Sequence, residues 1–470
     1  MITKEYFTKR KQQSFLVIEE MEGDEVTPVL LYQRLNGRKK CLLESSLRQE
    51  NKGRYSFIGC NPYLEVTSCG EQITLAFQKK IEVRTGKVLE VIEEMLSFEH
   101  IESPFPFSGG AIGYIGYDVI RQYEEIGAEN IDDINMPETH LLFYNTFLVY
   151  DHNNQTVYFV YVHRGGDDTT YEQVQHTLGC LKEQVMTSKT TTMPSVHVKP
   201  HFVSNVTKNE FCEMVEKAKE HILAGDLFQV VLSQRLQTSF IGDAFTLYRR
   251  LRITNPSPYM FYIEFGSYIV FGSSPESLVS VRGKRVMTNP IAGTRPRGNS
   301  EEHDAAQAKE LLEDEKEKAE HIMLVDLGRN DLGFVCEIGT VAPGKYMEIE
   351  KYSHVMHIVS EVHGILREDM TCLDALRYCL PAGTVSGAPK IRAMEIINQL
   401  ENRKRNVYAG TIGYISFTGD MDMALAIRTM IVKEQQAYIQ AGAGIVYDSN
   451  PYAEYEETIH KANALLEVMK

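Results

Sequence analysis

Residues 141–163, LLFYNTFLVYDHNNQTVYFVYVH, carry two runs of β-branched and aromatic side chains divided by a polar stretch at 151–155. So short a turn returns the chain antiparallel, because a parallel partner needs a much longer crossover. Similar runs recur earlier in KCLLESS, RYSFIGC, YLEVTSC and QITLAFQ. They recur later in FQVVLSQRL, MFYIEFGSYIVFGSS, SLVSVRGKRVMTNP, VYAGTIGYIS, MALAIRTMIV and AYIQAGAGIVY, with further strand around 352–362. Helices lie between them. One opens at Thr27 with Pro28 at its first position and stops before Gly37; another covers GKVLEVIEEML. A third opens on a Thr207–Glu210 capping box and closes at Gly225. A long charged helix is expected over 301–320, one over 386–400 with Ser386 as N-cap, and a last one in NPYAEYEETIHKANALLEVMK. Long antiparallel strands interleaved with helices predict an α+β fold of layered antiparallel sheets with flanking helices, not a doubly wound parallel sheet.

The chain has 470 residues, 43% of them hydrophobic, which is material for about two or three domains. Residues 187–204 are rich in Thr and Ser, contain Pro194 and Pro200 and lack an apolar period, so they read as a linker. The expected units are an N-terminal domain over 1–186 and a second over 205–470. A formal net charge of −15 argues against nonspecific binding to nucleic acid or to an anionic membrane surface, both of which need basic patches. No window approaches a membrane span, and the basic N-terminus lacks the apolar stretch of a signal peptide, so a cytoplasmic location is expected. The eight cysteines form no CxxC pair, which supports neither a disulfide framework nor a zinc site.

Two pairs of carboxylates stand out. Glu317 and Glu320 lie three apart where EKEK gives way to the apolar IMLV, and Glu454 and Glu457 repeat the spacing in the last helix. Such pairs also occur on ordinary solvated helix faces. If the two helices face each other, four converging carboxylates require a divalent cation, and Mg²⁺ suits an all-oxygen site that leaves room for an anionic substrate.

Five segments, PIAGTRPRG (290–298), AEHIMLVDLGRNDLG (319–333), EKYSHVMHIVS (350–360), LPAGTVSGAPKIRAMEII (380–397) and QAGAGIVYDSNPYAEYEET (440–458), resemble in this order the chorismate-utilising enzymes. Residues 205–465 are similar to the chorismate-binding domain, and CLLESS with GRYSFIG to the N-terminal domain that accompanies it in one branch. The resemblance implies Mg²⁺ held at Glu320 and Glu457, with Glu317 and Glu454 nearby, to bind the ring carboxylate of chorismate. It implies that Arg428 takes the second carboxylate, aided by Tyr408, Lys461 and the main chain of Gly442, Ala443 and Gly444. Glu276 matches the acid that protonates the departing hydroxyl, His357 a residue that assists loss of pyruvate, and Thr294 a residue near the reacting face beside Ala292 and Gly293.

Water-adding members carry a lysine where this chain has Gln229, and some ring-aminating members carry a nucleophilic lysine where it has Ala292. Direct attack by ammonia is therefore implied, giving anthranilate and pyruvate, with the 4-aminobenzoate branch and a noncatalytic relative as alternatives. No cysteine sits in an amidotransferase-like elbow, so a separate glutamine amidotransferase subunit is the implied ammonia source. Glu44, Ser45, Arg54, Pro258, Tyr259 and Met260 match a pocket for tryptophan as feedback inhibitor.

Overall fold

A computed structural model describes residues 3–45, 53–188, 201–352 and 355–470. Its strands form two large sheets, of twelve and eleven strands, and a small sheet of three, and every paired ladder between them is antiparallel. This is the expected α+β architecture. Both large sheets draw strands from both halves of the chain. In the first, Cys41–Glu44 pairs with Tyr259–Glu264, bringing Glu44 opposite Met260. In the second, Gly110–Ile115 pairs with Thr411–Ser416. Of the expected linker, residues 189–200 lie outside the described residues; Thr187 ends the helix Tyr171–Thr187, and Val203–Ser204 is already strand.

The two sheets face each other across one core. Phe57, Phe147 and Val160 of the first meet Ile112, Leu141 and Tyr414 of the second. Burying each such side chain contributes about 1.5–3 kcal/mol. The outer face of the first sheet is covered by the helices Pro28–Arg34, Tyr171–Thr187 and Ala244–Thr254 and the end of Pro451–Glu467. The helices Lys208–Leu223 and Lys390–Leu400 close over the strands Gln229–Ser239 and Gln436–Ile445. No described helix is long and apolar enough to cross a membrane.

Four local expectations change. The run at 141–163 breaks at Asn145, with Thr139–Tyr144 in the second sheet and Thr146–Asp151 in the first. MALAIRTMIV breaks in the same way, Met421–Leu425 and Thr429–Lys433 lying in different sheets with Arg428 at φ 48° at the crossing. The charged helix is two helices, Glu301–Glu313 and Glu315–Gly333, because the Asp314 side chain accepts from the amides of Lys316 and Glu317 and restarts the helix; IMLV continues that second helix. The helix expected from Ser386 starts at Lys390. Proline disfavours helical backbone in the residue before it, and Gly387–Ala388 instead pairs with the strand at Gln229.

Candidate active site

Glu276 lies between the strands Tyr268–Ser274 and Ser277–Arg282, not at a helix N-terminus, and is 8% exposed. Burial pushes its carboxyl up to about 7, against the pull of a hydrogen bond from Thr384 and the charges of Lys461 and Arg428. Thr384 Oγ1 donates to Glu276 Oε1 at 2.7 Å. Thr384 is the functional contact that reading the sequence missed; its signal is a hydroxyl among the small residues of LPAGTVSGAP.

The strand Ile291–Pro296 shifts register between Ala292 and Arg295 against Val355–Val359, and Gly293 sits there at φ 66°. A Cβ on Gly293 would stand 3.1 Å from Glu317 Oε2, so glycine allows that carboxylate to approach. His357 Nδ1 lies 2.8 Å from the Gly293 carbonyl and 3.1 Å from Thr294 Oγ1. A carbonyl only accepts, so Nδ1 carries the proton and Nε2 is the basic nitrogen. Burial, with the charge of Arg428, holds the ring below its ordinary pKa, so it is neutral near pH 7. Tyr352 packs edge-on against His357 with ring centroids 5.4 Å apart.

Arg428 is partly buried, and its guanidinium makes no hydrogen bond or ion pair among the described residues. Desolvation lowers its pKa while Glu276 and Tyr352 oppose that shift, so this is a cation held ready for an anion. Beside it, Gly442, Ala443 and Gly444 pair with Ser233, Leu232 and Val231 on one edge. The strand on their other edge reaches only to Thr429, level with residue 440, so alternate amides of 442–444 lack a strand partner on that edge. A Cβ on Gly442 would lie 2.6 Å from the Tyr408 hydroxyl, and one on Gly444 2.6 Å from Gln229 Nε2. These glycines admit two polar side chains. Lys461 Nζ donates to the Gly442 carbonyl at 3.0 Å and pairs with Glu457 at 2.7 Å.

Glu320 Oε1 accepts from Gln229 Nε2 at 3.1 Å. The neighbouring His321 is held by Ser360 Oγ at 2.6 Å. Glu317 pairs with Arg295 at 3.4 Å; burial and the charge of Glu320 raise its pKa. Burial and Glu457 do the same to Glu454, with Lys316 and Lys461 opposing. Among the described residues no three His, Cys, Asp or Glu side chains stand together as a metal cage. The donor set nevertheless fits Mg²⁺ chemically: it is all hard oxygen, and within each pair one carboxylate raises the pKa of the other, a repulsion that a divalent cation relieves.

A second cavity, of about 420 Å³, adjoins the site. Glu44, Ser45, Arg54, Pro258, Tyr259 and Met260 all line it, together with Glu350 and Tyr352. Glu44 already accepts from Tyr248 at 2.7 Å and Arg252 at 3.0 Å, and Arg54 pairs with Asp151 at 2.8 Å. Tyr259 donates to Asp422 at 3.1 Å. Tyr352 thus stands between this cavity and His357. Of the cysteines, Cys41 and Cys60 are pushed by burial up to about 12 and 11, and Cys372 and Cys379 rise further, far from thiolate character.

A buried acid, a histidine held below its ordinary pKa and an arginine without a hydrogen bond among the described residues act on one another electrostatically, a set that suits an anionic substrate. The family model for chorismate binding enzymes matches residues 39–467, and the chain belongs to that family. It is 46% identical over 468 residues to the protein named "Anthranilate synthase component 1" of Acetivibrio thermocellus, covering 97% of this chain and 95% of that one. It is 44% identical over 460 residues to the protein of the same name from Lactococcus lactis, covering 96% and 99%. A crystal structure of anthranilate synthase component I from Streptococcus pneumoniae TIGR4 is similar at a TM-score of 0.81 and 43% identity, over 95% of this chain and 99% of that one.

Proposed function

We propose that the chain converts chorismate and ammonia into anthranilate and pyruvate through 2-amino-2-deoxyisochorismate, with a glutamine amidotransferase subunit as the ammonia source. The observation that carries this reading is Glu276, a carboxyl kept protonated near neutrality by burial and aimed by Thr384. Arg428, with the open amides of 442–444 and Tyr408, binds one substrate carboxylate. Mg²⁺ held by Glu320 and Glu457, with Glu317 and Glu454 beside them, would supply the charge that anchors and polarises the other. Glu276 gives its proton to the ring hydroxyl, which leaves as water while ammonia adds and the ring double bonds shift. His357 Nε2 then takes the proton from the aminated carbon as the enolpyruvyl ether bond breaks and the ring becomes aromatic. Gln229 and Ala292 provide no amine to activate water or to attack the ring, which favours ammonia itself as nucleophile.

We further propose that tryptophan occupies the 420 Å³ cavity as a feedback inhibitor. Glu44 and Ser45 suit its ammonium group, Arg54 its carboxylate, and Met260 with Tyr259 its indole. Incubating the chain with chorismate, Mg²⁺ and an ammonium salt tests the main reading. Anthranilate with equimolar pyruvate supports it. Accumulating 4-amino-4-deoxychorismate moves the chain to the 4-aminobenzoate branch, and no turnover with any nitrogen source overturns it.

A further inference from the structure

Glu276 has a second side. Away from Arg428, a crevice of about 40 Å³ is lined by Glu276, Thr288, Leu324, Gly328, Asp331 and Thr384. At roughly 10–15 Å³ per water, it has room for a short file of water molecules. Thr288 is 6% exposed, and its Oγ1 has no hydrogen-bond partner among the described residues. Buried hydroxyls rarely stay unpaired, so this one calls for a ligand that both donates and accepts. The space exists because the helix Glu315–Gly333 presents a glycine there: a Cβ on Gly328 would stand 3.1 Å from Thr288 Oγ1. Asp331, which also lines the crevice, accepts from Lys390 Nζ at 2.6 Å. Water in the crevice would therefore find two carboxyl groups and a hydroxyl without a partner among the residues that line it.

We propose that this crevice holds a chain of waters, anchored by Thr288 and Asp331, through which Glu276 regains its proton after each turnover. The proposal rests on Glu276 being the acid of the reaction. The proton balance is simple. Glu276 gives a proton to the leaving hydroxyl, which departs as water, and the carboxylate then takes one from the adjoining crevice water. Each water is refilled by the next, and solvent supplies the last proton. The added ammonia releases its surplus proton to solvent, so no net proton is consumed. Arg428 and Lys461 favour the carboxylate and do not line the crevice, so crevice waters can return the proton to Glu276 independently of what occupies the substrate side. Thr288 is a positioning residue here, since it touches neither substrate nor the reacting atoms.

Three variants test this: Thr288→Val removes the hydroxyl at equal volume, Thr288→Ser keeps it, and Gly328→Ala narrows the crevice with a residue that favours helix. The readouts are kcat in H₂O and D₂O, KM for chorismate, and Tm. Thr288→Val and Gly328→Ala should each lower kcat several-fold and raise the solvent isotope effect with KM unchanged. Thr288→Ser should retain wild-type values, and Gly328→Ala should keep or raise Tm. Wild-type kcat and isotope effect in Thr288→Val, or equal losses in Thr288→Ser and Thr288→Val, overturn the proposal. Glu276→Gln separates the two levels: if it abolishes turnover while Thr288→Val changes nothing, the crevice alone is wrong. If Glu276→Gln turns over normally, the acid and the crevice both fall.

Discussion

Thr384 Oγ1 donates a hydrogen bond to Glu276 Oε1 at 2.7 Å across 108 positions of sequence. That bond favours the ionised carboxyl, and burial opposes it and wins, leaving the group protonated up to about pH 7. The fold carries a cost for this. Between the ordinary carboxyl value of 4.5 and about 7 the folded state binds more proton than the unfolded state, so stability falls as pH rises through that window.

Glu276→Gln removes the cost. It should raise stability at pH 8 by about 3 kcal/mol, the full shift at 1.36 kcal/mol per unit, and leave stability at pH 4 nearly unchanged. Urea unfolding at the two pH values measures the difference. An equal effect at both would mean the carboxyl is not perturbed in the folded protein.

Gly444 and Gln229 should behave as one unit. Gly444→Ala puts a Cβ 2.6 Å from Gln229 Nε2 and displaces the amide that donates to Glu320. Turnover should fall in Gly444→Ala and in Gln229→Ala, and the double variant should be no slower than Gln229→Ala alone. Additive losses would show that the glycine matters for some other reason.

Metal dependence should follow the glutamate pairs. Mg²⁺ should raise the Tm of the wild-type chain and not that of Glu320→Gln, whose turnover should fall about 100-fold or more. A Tm response to Mg²⁺ retained in Glu320→Gln would remove that residue from the metal site.

Tryptophan should stabilise the protein as well as inhibit it. At a hundredfold its Kd, linkage predicts about 2.7 kcal/mol, read as a rise in Tm. Met260→Ala, which empties part of the cavity wall, should weaken both effects together. Inhibition without stabilisation would place the inhibitor elsewhere.

Much of this was legible in the chain because local chemistry declares itself. Thr207 with Glu210 closes the capping box its spacing announces, and the antiparallel runs become antiparallel strands. The same grammar at Thr170 and Gln173 opens the helix Tyr171–Thr187, a signal equally present in the sequence that the reading passed over. Breaks at Asn145 and Arg428 are invisible to periodicity, since an apolar run that passes between two sheets keeps its pattern. Charge composition likewise hid the cap at Asp314 inside one acidic stretch. Glu276, His357 and Arg428 carry no mutual spacing at all. Glu276 and Arg428 lie where the chain passes between the two large sheets and His357 lies on the small sheet, so only the fold brings them together, and the Thr384 contact belongs to the same class of long-range closure.

The central claim is that Glu276 works as a protonated acid, and the pH dependence of kcat/KM at constant free ammonia tests it most directly. For the wild type the profile should fall as pH rises through about 7, where Glu276 loses its proton in the free enzyme. Thr384→Val removes the bond that favours the carboxylate, so this limb should move to higher pH. A profile flat through neutrality, or a limb that stays or moves lower in Thr384→Val, would contradict the account.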